Sequence, residues 1–377
     1  MKSLTILSEG IRIFRLSRAR MKRGLSRYRG DPAKICRQII ENCWNSRYFQ
    51  TSTHNFAEFW VRDFGFCAES LVKLGYRDKV SKTLEYALSI FEKNKKITTT
   101  ITPKGKPIDI YSYSPDSLPL LVRTIKIVDD RKLFSKYKNF LQKELYKYYK
   151  IVIDKKTGLV KKKKFSSMKD YSIRKSSCYD NCMAAMMNSD LQELNKKNKL
   201  KLTNPLKNTD FKQLIKQNFW HNGYFLDDLS GSTHVAGDAN TFPYWCGLFD
   251  PNKNKENKDM LKSSIKNIQK YKLDYPFPLK YTNVRLDKQK MSPQEIFVRD
   301  YETNSIWIHM GLAYIEVVKK VDRKLAKKYV DSYTELINKY GTFLEVFDKN
   351  AQPFRTPFYL CDEGMLWCSS YLNLIKN

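Results

Sequence analysis

The chain has 377 residues, 42% of them hydrophobic, with 69 Lys and Arg against 39 Asp and Glu, a net charge of +30. The apolar share supports a sizeable core and excludes a disordered chain. The absence of any apolar run of about 18 residues excludes a membrane-spanning helix.

Residues 1–29 open with "MKSLTILSEGIRIFRLSRARMKRG", a basic and weakly amphipathic stretch. It has no uninterrupted apolar run and no small-residue cleavage site, so no secretory signal is expected. From residue 30 onward helical periodicity dominates. A first helix begins at "GDPAKICRQIIENCW", with Asp31 as cap and Pro32 in the first turn. There follow "DFGFCAESLVKLGY", "RDKVSKTLEYALSIFEKN", "DSLPLLVRTIKIV", "DRKLFSKYKNFLQKELYKYYK" and "DNCMAAMMNSDLQELN". The second half adds "NTDFKQLIKQNFW", "DANTFPYWCGLF", "ENKDMLKSSIKNIQKY", "NSIWIHMGLAYIEVVKKV", "DRKLAKKYVDSYTELINKYG" and "DEGMLWCSSYLNLIK".

These segments alternate. After the first, the odd members are lysine-rich with one apolar stripe, as a surface helix is; the even members are apolar nearly all round, as a buried helix is. An inner ring inside an outer ring follows: an all-α (α/α)6 barrel forming a single domain over 30–377. An open solenoid of stacked pairs is the alternative. The charge raises nucleic acid or an anionic membrane as partner. Because the lysines fall on amphipathic helices, as in a solvated outer wall, nucleic acid is not the expected partner. The eight cysteines are scattered, several within apolar runs (Cys67, Cys246, Cys368). Buried free thiols in a reducing, cytoplasmic compartment fit them best. No spacing of Cys or His points to zinc, and no metal or cofactor is expected.

Each buried helix is preceded by an acid or amide: Arg62 and Asp63, Asp116, Asp180 and Asn181, Asp238 and Asn240, Glu302 and Asn304, Asp362 and Glu363. Capping explains part of this, since the outer segments also start with Asp or Asn. The inner junctions differ in carrying aromatics: Trp60, Tyr113, Tyr179, Tyr244, Trp307 and Trp367. In a barrel all six junctions share one face, a bowl of acids, amides and rings. Rings stack on the apolar faces of sugars and acids bind their hydroxyls, while glycosidic cleavage needs two carboxyls of split pKa. Carbohydrate is therefore the expected partner.

Several of these stretches resemble the six-hairpin glycosidases. "FWVRDFGFCAESLVKLGY" resembles their W-x-R-D segment. "YSPDSLPLLVRTIKIV" resembles the V-D-S/A-x-x-W motif of neutral invertases and of the amylo-α-1,6-glucosidase domain of glycogen-debranching enzymes. "FLEVFDKNAQPF" resembles their late E-x-x-D segment, "DEGMLWCSSYLNLI" the closing inner helix, and "GYFLDDLSGSTHVAGDANTFPYWCGLF" a stretch of the wider superfamily. The similarity runs in order over roughly residues 56–375. Pro119 and Leu120 stand near the place of the motif's Trp, and Asn350 and Ala351 near the place of the late glycine. The resemblance implies an inverting hydrolase of an α-glucoside or similar neutral sugar. It implies Asp116 as general acid and Glu345 as general base, their carboxyls about 6.5–9.5 Å apart, with Arg62 and Asp63 gripping the sugar. Trp60, Tyr113, Asp180, Asp238, Asn240, Trp307 and Glu363 complete the expected bowl; Glu363 is also an alternative base. Competing readings are a plain helix cap for Asp116, an ion-paired loop carboxylate for Glu345, a non-catalytic sugar-binding protein, and an epimerase using His54 and His234.

Overall fold

A computed structural model describes residues 2–198, 201–283 and 290–376. Helix α1 spans Lys2–Arg23. Six outer helices follow, α2 (Pro32–Cys43), α4 (Arg77–Lys93), α6 (Arg131–Val152), α8 (Phe211–Phe219), α10 (Lys255–Lys270) and α12 (Arg323–Tyr340). They alternate with six inner ones, α3 (Val61–Lys73), α5 (Ser117–Val128), α7 (Cys178–Asn198), α9 (Phe242–Trp245), α11 (Ile308–Lys319) and α13 (Cys368–Lys376).

The two kinds of helix are built as their sequences demand. On α6 a stripe of Leu133, Phe134, Tyr137, Phe140, Leu141, Leu145, Tyr148 and Val152 is buried while the lysines between face water. On α11 ten of the eleven positions Ile308–Val318, all but Glu316, are buried. Each large aliphatic or Phe side chain among them stabilises the fold by roughly 1.5–3 kcal/mol relative to exposure. Inner helices pack in sequence order, α3 on α5, α5 on α7, α7 on α9 and α9 on α11; α13 then contacts both α11 and α3, and outside it α12 contacts α2. The ring is closed, which decides against the open solenoid. The eight cysteines are free thiols, and all but Cys246 are fully buried.

Two sequence expectations change in detail. The stretch 238–249 yields only the four-residue α9, because Gly247 takes a left-handed φ of 76° and turns the chain. The last inner helix starts at Cys368 instead of Asp362, leaving 362–367 as a loop. Short strands also form at the junctions. β1 (Phe59–Trp60) pairs with β2 (Thr100–Ile101), which pairs with β3 (Pro107–Ile108); β4 (Trp220–His221) pairs with β5 (Tyr224–Phe225), and β6 (Ile306–Trp307) with β7 (Val346–Phe347). Each is two residues long, too short for a periodic signal in sequence.

Side-chain capping is found on the outer ring, where only α4, preceded by Tyr76, lacks it among the described residues. Asp31, Asp130, Asp210, Asn254 and Asp322 each accept the third backbone N–H of their outer helix at 2.8–3.0 Å. The inner helices α3, α5, α9 and α11 have no side-chain cap. At the heads of α3 and α5 the polar groups are instead turned to each other, Arg62 to Asp116.

Candidate active site

At the inner-helix N-termini lies a cavity of ≈ 80 Å³, walled by Trp60, Arg62, Asp63, Asp170, Tyr301, Glu302, Trp307, His309, Glu345 and Trp367, with Thr51, Phe56, Met168 and Met365. The short strands set two of its walls. Pairing of β1 with β2 holds Trp60 at the first turn of α3, which carries Arg62 and Asp63. Pairing of Trp307 with Val346 puts Glu345 beside the start of α11, where its carbonyl accepts the Ile308 N–H at 3.2 Å.

Glu345 is buried and held by three donors. Tyr301 OH reaches Oε1 at 2.5 Å, Tyr359 OH reaches Oε2 at 2.5 Å, and the Asp362 N–H donates to Oε2 at 2.8 Å. Burial nevertheless pushes its carboxyl up to about 7, with those donors opposing. Across the cavity Glu302 accepts the backbone N–H groups of Asp170 (2.5 Å), Tyr171 (2.9 Å) and Ser172 (3.0 Å), which fixes the loop bearing Asp170. Burial and the neighbouring Asp170 charge push Glu302 up to about 8; burial raises Asp170 too, opposed by Arg62. These two carboxyls titrate as a pair. Burial raises Asp63 to about 6 although Trp367 Nε1 donates to it at 3.0 Å. His309, packed against Trp307 and Trp367, is pushed down to about 3 by burial and by the Arg62 charge, so it is neutral.

Three wall nitrogens have no hydrogen-bond partner among the described residues: Trp60 Nε1, Arg62 Nη2 and His309 Nδ1. Buried polar groups rarely stay unpaired, so orphans converging on one cavity mark where a polar ligand would sit.

Of the residues expected in the bowl, Trp60, Arg62, Asp63, Glu302, Trp307, Glu345 and Trp367 line this cavity together. The others lie elsewhere. Asp116, fully buried at the head of α5, accepts Arg62 Nε at 2.6 Å, Ser114 Oγ at 2.6 Å and Tyr179 OH at 3.0 Å, and it is not part of the cavity wall. Tyr113 packs edge-on against Phe165. Asp180 accepts Ser177 Oγ at 2.7 Å. Asp238 joins Asp227 in a buried network with Arg174 (2.8 Å to Asp238) and Lys169. Asn240 clamps the backbone of Phe225 and Ala236. Glu363 is taken by Arg20, His54 and the Ser26 N–H. His54 is thus occupied away from the cavity, and His234 sits near Asp227.

Asp170, Tyr301, Tyr359 and His309 were not among the residues expected in the bowl. Asp170 comes from "SSMKDYS", a loop between α6 and α7 with no periodicity to flag it. Tyr301 and Glu302 stand in the same "DYETNSIW" junction that drew attention to Trp307.

No family model and no curated protein matches the chain. Solved structures do. A rhamnosidase from Klebsiella oxytoca with rhamnose bound aligns at a TM-score of 0.66 and 11% identity, over 92% of this chain and 64% of its own. A glycosidase in complex with glucose aligns at 0.66 and 11%, over 92% of this chain and 96% of its own. A mannosylglycerate hydrolase from Thermus thermophilus, in complex with Tris and D-glycerate, aligns at 0.62 and 11%, over 92% and 100%. The protein is therefore an (α/α)6 barrel of the kind these six-hairpin glycosidases adopt. It spans about two-thirds of the rhamnosidase and nearly all of the other two.

Proposed function

We propose that the protein is a glycoside hydrolase that cleaves a neutral sugar, such as an α-glucoside, with inversion. The observation that carries this reading is the convergence on one cavity of four carboxyls, three tryptophans and three unpartnered nitrogens. The rings supply stacking faces, the orphan nitrogens bind hydroxyls, and the carboxyls supply acid and base. Likeness in fold to structures holding rhamnose and glucose supports a hexose-sized substrate.

Glu345 serves as general base, its two tyrosines fixing the orientation in which it draws a proton from water. Asp170 replaces Asp116 as general acid. Burial raises its pKa, the direction a general acid requires, and the neighbouring Glu302 is pushed up to about 8. Asp116 is a positioning residue: its ion pair with Arg62 orients the guanidinium so that Nη2, with no hydrogen-bond partner among the described residues, lies 4.0 Å from Asp170 Oδ1. The buried thiols support a reducing, cytoplasmic setting.

The test is a screen of α- and β-linked glucosides and rhamnosides, following the anomer of the product by NMR. Asp170→Asn and Glu345→Gln are each expected to lower kcat by about 10²–10⁴, while Asp116→Asn retains more activity than either. Sugar binding without turnover in the unaltered protein would leave the non-catalytic reading in its place.

A further inference from the structure

Helix α1 has two faces. Its inner face is fastened to the barrel: Arg12 reaches Glu58 and the Asn55 carbonyl, and Arg20, fully buried, reaches Asp362 and the Cys361 carbonyl. Its outer stripe runs Leu7, Ile11 and Phe14, then Arg15, Arg18 and Lys22, all exposed. The stripe continues onto neighbouring loops. Phe358 lies 6.3 Å from Phe14, and Phe297 lies 5.3 Å from Phe358. Thr356 Oγ1 donates to the Phe297 carbonyl at 3.0 Å, tying these loops together. Ile296 is 74% exposed, and Arg299 and Arg355 are exposed nearby in sequence. Of the twelve exposed large hydrophobic side chains among the described residues, six belong to this patch.

Such clustering marks a docking surface. The patch lies at the cavity end of the barrel: residues 293–298 lead into Tyr301 and Glu302, and the loop bearing Phe358 also carries Tyr359, which holds Glu345. We infer that α1 and these loops dock the protein onto an anionic lipid bilayer, with the cavity end facing the lipid. Apolar rings beside arginines are the chemistry of interfacial membrane binding. Glu9, the one acid of α1, is engaged by Arg12. A second copy of this chain would bring +30 against +30, which opposes self-association through the same face. No helix among the described residues is long and apolar enough to cross a membrane, so the attachment is peripheral. A further consequence, that the sugar cleaved is one displayed at a membrane surface, rests on the glycosidase reading; the docking itself does not.

The test is sedimentation of the full chain with vesicles of phosphatidylcholine, alone or mixed with phosphatidylglycerol. Binding is expected only to the mixed vesicles and weakens as salt rises. Arg15→Glu combined with Arg18→Glu lowers the partition coefficient by about tenfold or more. Phe297→Ser with Phe358→Ser lowers the binding that persists at high salt. The same two charge reversals on the outer wall, Lys132→Glu with Lys143→Glu on α6, change it by less than about twofold. Thermal unfolding checks that every variant is folded, and hydrolysis of a soluble sugar is unchanged in all of them. Absence of binding to mixed vesicles, equal loss from the α6 reversals, or a concentration-dependent dimer without vesicle binding each overturns the proposal.

Discussion

Asp116 illustrates what a single position can and cannot reveal. Its place at the N-terminus of an inner helix is legible from "SPDSLPLLVR", because an acid before an apolar run marks a helix start. What its oxygens face is not, since Arg62 and Tyr179 are brought to it from 54 and 63 residues away. Asp116→Ala strands the buried Arg62 guanidinium and is expected to cost about 3–5 kcal/mol, read from urea unfolding. Asp170 is the reverse case: nothing local flags it, and Glu302 positions its loop across 132 residues. The raised carboxyls also fix the response to pH. Glu345 near 7 must ionise to act as base, while the Asp170–Glu302 pair must keep a proton up to about 8. A bell-shaped profile of kcat/KM with its maximum between these values is expected. Stability runs the other way. The folded protein retains protons that the unfolded chain gives up above about 4.3, so the unfolding free energy falls as pH rises from there through about 8. Glu345→Gln, which cannot ionise, removes the part of that fall between about 4.3 and about 7; denaturant titrations at several pH values measure it.

At the scale of elements, the outer and inner helices were legible because burial on one side and on all sides write different patterns into sequence. α6 and α11 are the clear cases. α9 was not, because its twelve-residue stretch has helical composition while Gly247 turns the backbone. Close approach between elements left only a faint trace. Gly311 of α11 lies so near α12 and the 278–279 peptide that a Cβ would fall 1.9 Å from Tyr333 OH and 2.5 Å from the Pro278 carbonyl oxygen. Tyr333 donates to that same carbonyl at 2.7 Å, so neither group can retreat without losing the bond. Gly311→Ala is expected to destabilise by about 3 kcal/mol, seen as a lowered denaturation midpoint with the slope unchanged.

For the whole molecule, alternation of helix types announced hairpins, but the number that closes a ring depends on the small rotation between successive pairs, which no residue pattern records. Closure rests on α13 meeting α3 and α12 meeting α2. Removing residues 368–376 takes one stave from the ring and uncovers the inner faces of α3 and α11. The single cooperative unfolding transition is then expected to broaden or vanish, as followed by circular dichroism in denaturant. The bond between Arg20 and Asp362 spans 342 residues. On a ribosome, Arg20 of α1 and the α13-facing side of α3 therefore wait for nearly the entire remaining chain before these partners exist. Each hairpin can form early from local contacts, but the seam must come last and slowly, since such distant pairings carry the largest loop-closure cost. Until it forms, the emerging chain presents an apolar trough that invites chaperones.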